Sequence, residues 1–265
     1  MSSDNKNSED VSNKKQVIEL KSSSEIKILR KAGQFVAQVL DVIGKAVQSE
    51  ITTKYLDDLA EKEIRSLGLK PAFLGYRGFP AVTCISINDE LVHGIPSKKR
   101  ILKEGDIVSI DLGIIYEGFY GDMAATFPVG KISQDAQKLL DVTKESLNKA
   151  IEQVKEGKRL GDLSWAVQNF VENSGFSVIR DYVGHGIGRK LHEEPSVPNF
   201  GKPSSGPRFN KGLVIAIEPM VSAGDWQVKT LDDGWTVVTE DGKLCAHFEH
   251  MVALTEKGAE ILTSL

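Results

Sequence analysis

The stretch DIVSIDLGIIYEGFYGDMAATFPV, Asp106–Val129, decides how this chain folds. It is dense in β-branched and aromatic residues and broken once, at Glu117-Gly118, which is the pattern of two strands joined by a tight turn. If the chain reverses there, Asp111 falls opposite Ala124. Asp122 then lies two residues from that partner, on the same face, so the two carboxylates are diagonal neighbours. Asp111 is flanked by Ile110 and Leu112, and Asp122 is followed by Met123. Like charges that close in an apolar setting are unfavourable unless something positive sits between them.

Two further strands pose the same problem. LVIAIEP (Leu213–Pro219) is nearly all apolar and ends on Glu218, where Pro219, lacking a backbone donor, stops the ladder. In CAHFEHMVAL (Cys245–Leu254), Glu249 shares its parity with Met251 and Ala253, which points it inward. Taken singly, each acid reads as a strand-end carboxylate facing water or a basic partner. Taken together they do not, because these strands carry few Lys or Arg. Four buried carboxylates call for about four positive charges, which two divalent cations supply. VGHGIGRKLHEEP (Val183–Pro195) adds His185 as one neutral nitrogen donor, with His192 seven residues on. Oxygen ligands with a single imidazole suit Mn, Fe, Co or Zn and do not select among them.

Around these strands the chain repeats a plan. A helical pattern opens near Ser24 with Ile26, Leu29, Val36, Val39, Leu40, Ile43 and Val47 on one side. A second follows Thr53 and ends at Gly68. Ser133 opens a third, and a fourth runs from about Gly161 to Asn173. Strands follow each pair: AVTCISI and the Asp106–Val129 stretch in the first half, FSVIRDYV in the second. The expectation is one α+β domain, residues 17–265, with pseudo-twofold halves sharing a sheet. Residues 1–16 contain one aliphatic residue after Met1, Val11, and are expected to be a disordered polar tail.

Composition narrows the class. A net charge of -4 argues against nucleic-acid binding over the whole surface. The one basic cluster is Lys98-Lys99-Arg100 with Lys103, read as a solvated turn before a ribosome contact. Two cysteines, no apolar leader and no membrane-length apolar run point to a reduced, cytoplasmic protein away from the membrane. Nothing in the sequence demands more than a monomer.

In order and spacing, HGIP at His93, the Asp111/Asp122 pair, GHGIG at His185, LHEEP at His192, IEPM at Glu218 and FEH at Glu249 resemble the type I methionine aminopeptidases. The resemblance runs from about residue 20 to the end. It implies the pita-bread fold, a central antiparallel sheet covered by helices. It also implies removal of the initiator methionine from nascent polypeptide N-termini whose second residue is small. On it, Asp111, Asp122, His185, Glu218 and Glu249 match the metal ligands, Asp122 and Glu249 bridging two metals, with Glu218 also the proton acceptor. His93 and His192 match histidines that reach substrate, and the glycines around His185 would let backbone approach the metals. Tyr76, Phe79, Cys84 and Trp235 match a methionine pocket, with Phe73 and Leu191 nearby. Leu191 departs from the aromatic usual in the family. His250 has a family counterpart, and His247 has none and reads as incidental. Neither Glu193 nor Glu194 is assigned to metal. The alternatives are an X-Pro aminopeptidase-like hydrolase, which usually carries a large N-terminal domain, and a non-catalytic pita-bread binding module, whose kind has lost metal ligands.

Overall fold

Helix α1, Ser23–Ala46, starts with a capping box in the computed structural model, which describes residues 17–265. Ser22 accepts from the Glu25 N–H while the Glu25 carboxylate takes the Ser22 N–H. The helix therefore begins just before the expected Ser24. The expectation for residues 1–16 lies outside the described residues. Helix α2, Thr53–Ser66, is capped by Thr52. Strands β1 (Lys70–Pro71), β2 (Thr83–Ile87), β3 (Glu90–Val92), β4 (Ile107–Tyr116) and β5 (Phe119–Pro128) complete the first half. The second half repeats the order with α3 (Gln134–Ile151, capped by Ser133) and α4 (Leu160–Asn173). Ten short strands follow: β6 (Ser177–Val178), β7 (Gly184–Gly186), β8 (Glu193–Val197), β9 (Val214–Ile217), β10 (Met220–Ser222), β11 (Val228–Thr230), β12 (Val237–Thr239), β13 (Cys245–His247), β14 (His250–Thr255) and β15 (Gly258–Ile261).

Among the described residues every ladder is antiparallel, and the strands divide among four sheets. Strand β4 pairs with β5 along its length and with β2 and β1 on its other edge. The hairpin turns where expected, with Glu117 and Gly118 both at positive φ, and Asp111 does pair with Ala124. The second large sheet runs β15-β14-β9-β7-β8. FSVIRDYV yields only the two-residue β6. Ile179 still donates to the Met220 carbonyl, and the chain then leaves the sheet before Tyr182.

Helices α1 and α2 bury Val36, Val39, Leu40, Leu56 and Ile64 with Val108 and Ile110 of β4. Leu139, Leu147, Leu163 and Val167 of α3 and α4 do the same against Ile215 and Val252. The two sheets meet along a seam between β5 and residues 247–251. The Glu249 N–H donates to the Ala124 carbonyl at 2.9 Å. Thr126 Oγ1 accepts from the His247 N–H at 2.9 Å and lies 2.8 Å from the His247 carbonyl, to which it donates. The seam is also where the acidic residues gather.

Candidate active site

Each acid owes its place to a different element. Asp111 sits in mid-β4, directly across from Cys84 of β2, and Asp122 in β5 across from Gly113. Glu218 is the first residue after β9, and Glu249 precedes β14 at the seam. His185 is the middle residue of β7, opposite Ala216. The three glycines around it make room for neighbouring chain. A Cβ at Gly184 would run into the Ala216 carbonyl, at Gly186 into that of Glu194, and at Gly188 into the Lys21 side chain. They let three strands and one lysine close up around His185.

All five ligand candidates line one cavity of about 300 Å³. Asp122, His185 and Glu249 are the tightest set, each with one donor atom within 4.8 Å of the others. His185 Nε2 lies 3.8 Å from Asp122 Oδ2 and 3.6 Å from Glu218 Oε1. Its Nδ1 lies 2.9 Å from the Gly186 carbonyl, which holds the ring and leaves Nε2 for the site. Asp111 Oδ1, Asp122 Oδ1 and Glu249 Oε1 are buried without a hydrogen-bond partner. Native proteins seldom strand buried carboxylate oxygens. Burial, more than the neighbouring acids, pushes Asp111 up to about 7 and raises Asp122 and Glu249 well above the ordinary carboxylate range. Cations are the species that orphaned, mutually repelling oxygens fit.

Tyr76, Phe79, Cys84 and Trp235 all line this cavity. Phe79 and Trp235 meet edge to face at 5.1 Å. Phe73, Leu191 and Cys84 are buried beside them. Burial, then the charges of Asp111 and Asp122, pushes the Cys84 thiol up, which disfavours the thiolate. His93 is held at positive φ and packs against Tyr182 and Trp235, and burial lowers its pKa. His192 stands at the mouth, its Nδ1 2.8 Å from the Tyr76 hydroxyl. The protein packed around the ring, then His185, pushes its pKa down to about 4. Glu193 turns away from the cluster to a buried Lys21, which agrees with leaving it out of the ligand set.

Sequence reasoning missed three residues here. Tyr182 and Arg77 line the cavity, Tyr182 within a stretch taken for strand. His247, read as incidental, is buried with Nε2 3.4 Å from Glu218 Oε2. A signal for it existed, because it shares the inward parity argued for Glu249.

Fold and site together define a metal-dependent hydrolase of the pita-bread class. The chain belongs to metallopeptidase family M24, whose model matches residues 27–256. Among its relatives, methionine aminopeptidase 1 of Bacillus subtilis is 54% identical over 92% of this chain and 98% of its own length. The methionine aminopeptidase of Clostridium perfringens is 53% identical over 93% and 99%. The crystal structure of the Thermotoga maritima methionine aminopeptidase superposes with a TM-score of 0.92, at 50% identity, over 94% of this chain and all of that one. An X-Pro aminopeptidase from the same organism shares the fold at a TM-score of 0.74 and 23% identity, and this chain covers 62% of it. The resemblance to methionine aminopeptidases is thus borne out, and the X-Pro and non-catalytic alternatives are not supported.

Proposed function

We propose that the chain is a methionine aminopeptidase acting, as one catalytic domain and as a monomer in the cytoplasm, on nascent polypeptide N-termini with a small second residue. One observation carries this: unpartnered buried carboxylate oxygens form the floor of a cavity whose walls are apolar and aromatic. Such walls suit a thioether side chain. A ribosome contact is the less favoured part of the reading. Of the basic run, Arg100 is already engaged by Glu90 and by the carbonyls of Ile85 and Ile95, which leaves Lys98 and Lys99 exposed.

The proposed ligands are Asp111, Asp122, His185, Glu218 and Glu249, for two divalent ions of Mn, Fe, Co or Zn. When bound, the pair polarises the scissile carbonyl and lowers the pKa of the attacking water. The protein's own groups do the rest. Glu218 reaches the floor with a half-buried carboxylate and takes the water's proton. His192 is neutral at pH 7. The 2.8 Å contact between the Tyr76 hydroxyl and Nδ1 fits the tautomer with its N–H on Nε2, free to donate to the scissile amide. His93, lining the same cavity, donates to the developing oxyanion. Phe79, Trp235, Tyr76 and Cys84 enclose the methionine side chain and keep water from it.

The test is cleavage of Met-Ala-Ser and Ala-Pro-Ser by chelator-treated protein with each metal restored. Metal-dependent methionine release from the first alone is expected. Preferential alanine release from the second, or no release by metal-loaded protein, overturns the assignment.

A further inference from the structure

We infer that His247 is a positioning residue that holds the Glu218 carboxylate in its working orientation; this rests on Glu218 being both ligand and proton acceptor. The backbone of Glu218 is fixed at its carbonyl, which accepts from Asn199 Nδ2 at 2.9 Å. Its carboxylate is not fixed by any hydrogen bond among the described residues. Instead it lies between two imidazoles, one on each oxygen: His185 Nε2 at 3.6 Å from Oε1 and His247 Nε2 at 3.4 Å from Oε2.

His247 is built to be rigid. It is 1% exposed and sits in β13 directly across from Met220. Its N–H and carbonyl are both tied to Thr126 Oγ1, which itself lies 2.8 Å from Ser109 Oγ. Its Nε2 is buried and has no hydrogen-bond partner among the described residues. A polar nitrogen stranded in a core is costly, and an apolar side chain of similar size would fill the space without that cost. The group facing that nitrogen is Glu218 Oε2. Ligation by His247 itself is the competing reading, and cobalt absorption separates the two. A rigid imidazole 3.4 Å from Oε2, within reach of a hydrogen bond after a small shift, resists rotation of the carboxylate about its last side-chain bond. Oε1 is thereby kept on the His185 side, where the other ligands converge. Partners at this remove from a metal tune affinity by roughly 10- to 100-fold.

The experiment compares wild type, His247→Leu and His247→Gln. Each metal-free protein is titrated with Co(II) alone, by calorimetry and visible absorption, and then assayed on Met-Ala-Ser. For His247→Leu we expect cobalt affinity and kcat each to fall roughly 10- to 100-fold, with KM within about threefold. His247→Gln keeps a donor amide near the same place and should stay within about threefold of wild type in both. In a Glu218→Gln background, His247→Leu should weaken cobalt binding no further. If the leucine variant fails to fold, His247→Asn, whose amide falls short of Oε2, carries the same expectation. Wild-type cobalt affinity and kcat in folded His247→Leu would overturn the inference. So would a glutamine variant that falls as far as leucine and loses the absorption of a nitrogen ligand, which would make His247 a ligand. The cobalt titration needs no substrate, so failure of the methionine assignment would show in the assay and leave this comparison readable.

Discussion

Substituting Lys21 by Met should cost this protein about 3–5 kcal/mol of stability. The Lys21 ammonium lies 2.6 Å from Glu193 Oε2, with the two side chains only 4% and 9% exposed. Its contact to Glu19, at 3.2 Å, ends on a carboxylate that is 67% exposed and adds little. Removing the lysine leaves the Glu193 carboxylate buried, with the Lys190 N–H at 3.0 Å as its one remaining partner. A surface pair would be worth no more than about 1 kcal/mol, so the two descriptions predict different numbers. In a domain of this size the loss corresponds to a melting temperature lower by about 10 °C. Thermal unfolding by circular dichroism measures it, and adding Glu193→Gln to Lys21→Met should return most of it. Turnover should fall too, because Glu193 adjoins His192 and Lys21 packs on Gly188, so the lysine braces the loop between the two site histidines. A Lys21→Met protein within 1 kcal/mol of wild type in urea denaturation would refute the buried-pair account.

Other outcomes follow from the same contacts. Asp122→Asn and Glu249→Gln should each lose metal and turnover together, measured by elemental analysis and peptide assay, whereas His192→Ala should lose turnover and keep its metal. Metal loading at pH 7 should release on the order of two protons per chain, read by calorimetry in buffers of different ionisation enthalpy. The source is Asp122 and Glu249, raised well above their usual range, and Asp111, pushed to about 7. A carboxylate raised in the folded state stabilises the metal-free fold below the unfolded value near 4, and that contribution is lost as pH rises through about 7. The melting-temperature gap between metal-loaded and metal-free protein should therefore widen from pH 4 to 7. Asp57→Ala should cost about 3 kcal/mol or more in chemical denaturation, because Oδ1 accepts from the Val82 N–H, the Thr83 N–H and the Thr83 hydroxyl while Oδ2 pairs with Lys54.

Legibility in the sequence varies with the range of the interaction. The Asp111–Ala124 register can be read because one two-residue turn sets every pairing in that hairpin. Glu218 can be read because an apolar run ending on Glu-Pro is a buried strand that stops at a carboxylate. Lys21 cannot, because its partner lies 172 positions away and no local pattern links them. His247 shows a different failure. Its inward parity is visible in the sequence, but the family pattern offers no counterpart that would single it out. The division of the strands into four sheets is likewise hidden, since it depends on how two halves dock and not on the propensity of either.

The seam between β5 and β14 makes any cation bound there a staple. Asp111 and Asp122 come from one half and His185, Glu218 and Glu249 from the other, so a shared ion ties parts of the chain from residue 111 to residue 249. Closing so long a loop removes freedom from the unfolded chain, much as a cross-link does. The ion that serves the reaction would also act as a mechanical rivet, and the site cannot assemble until both halves have folded and met.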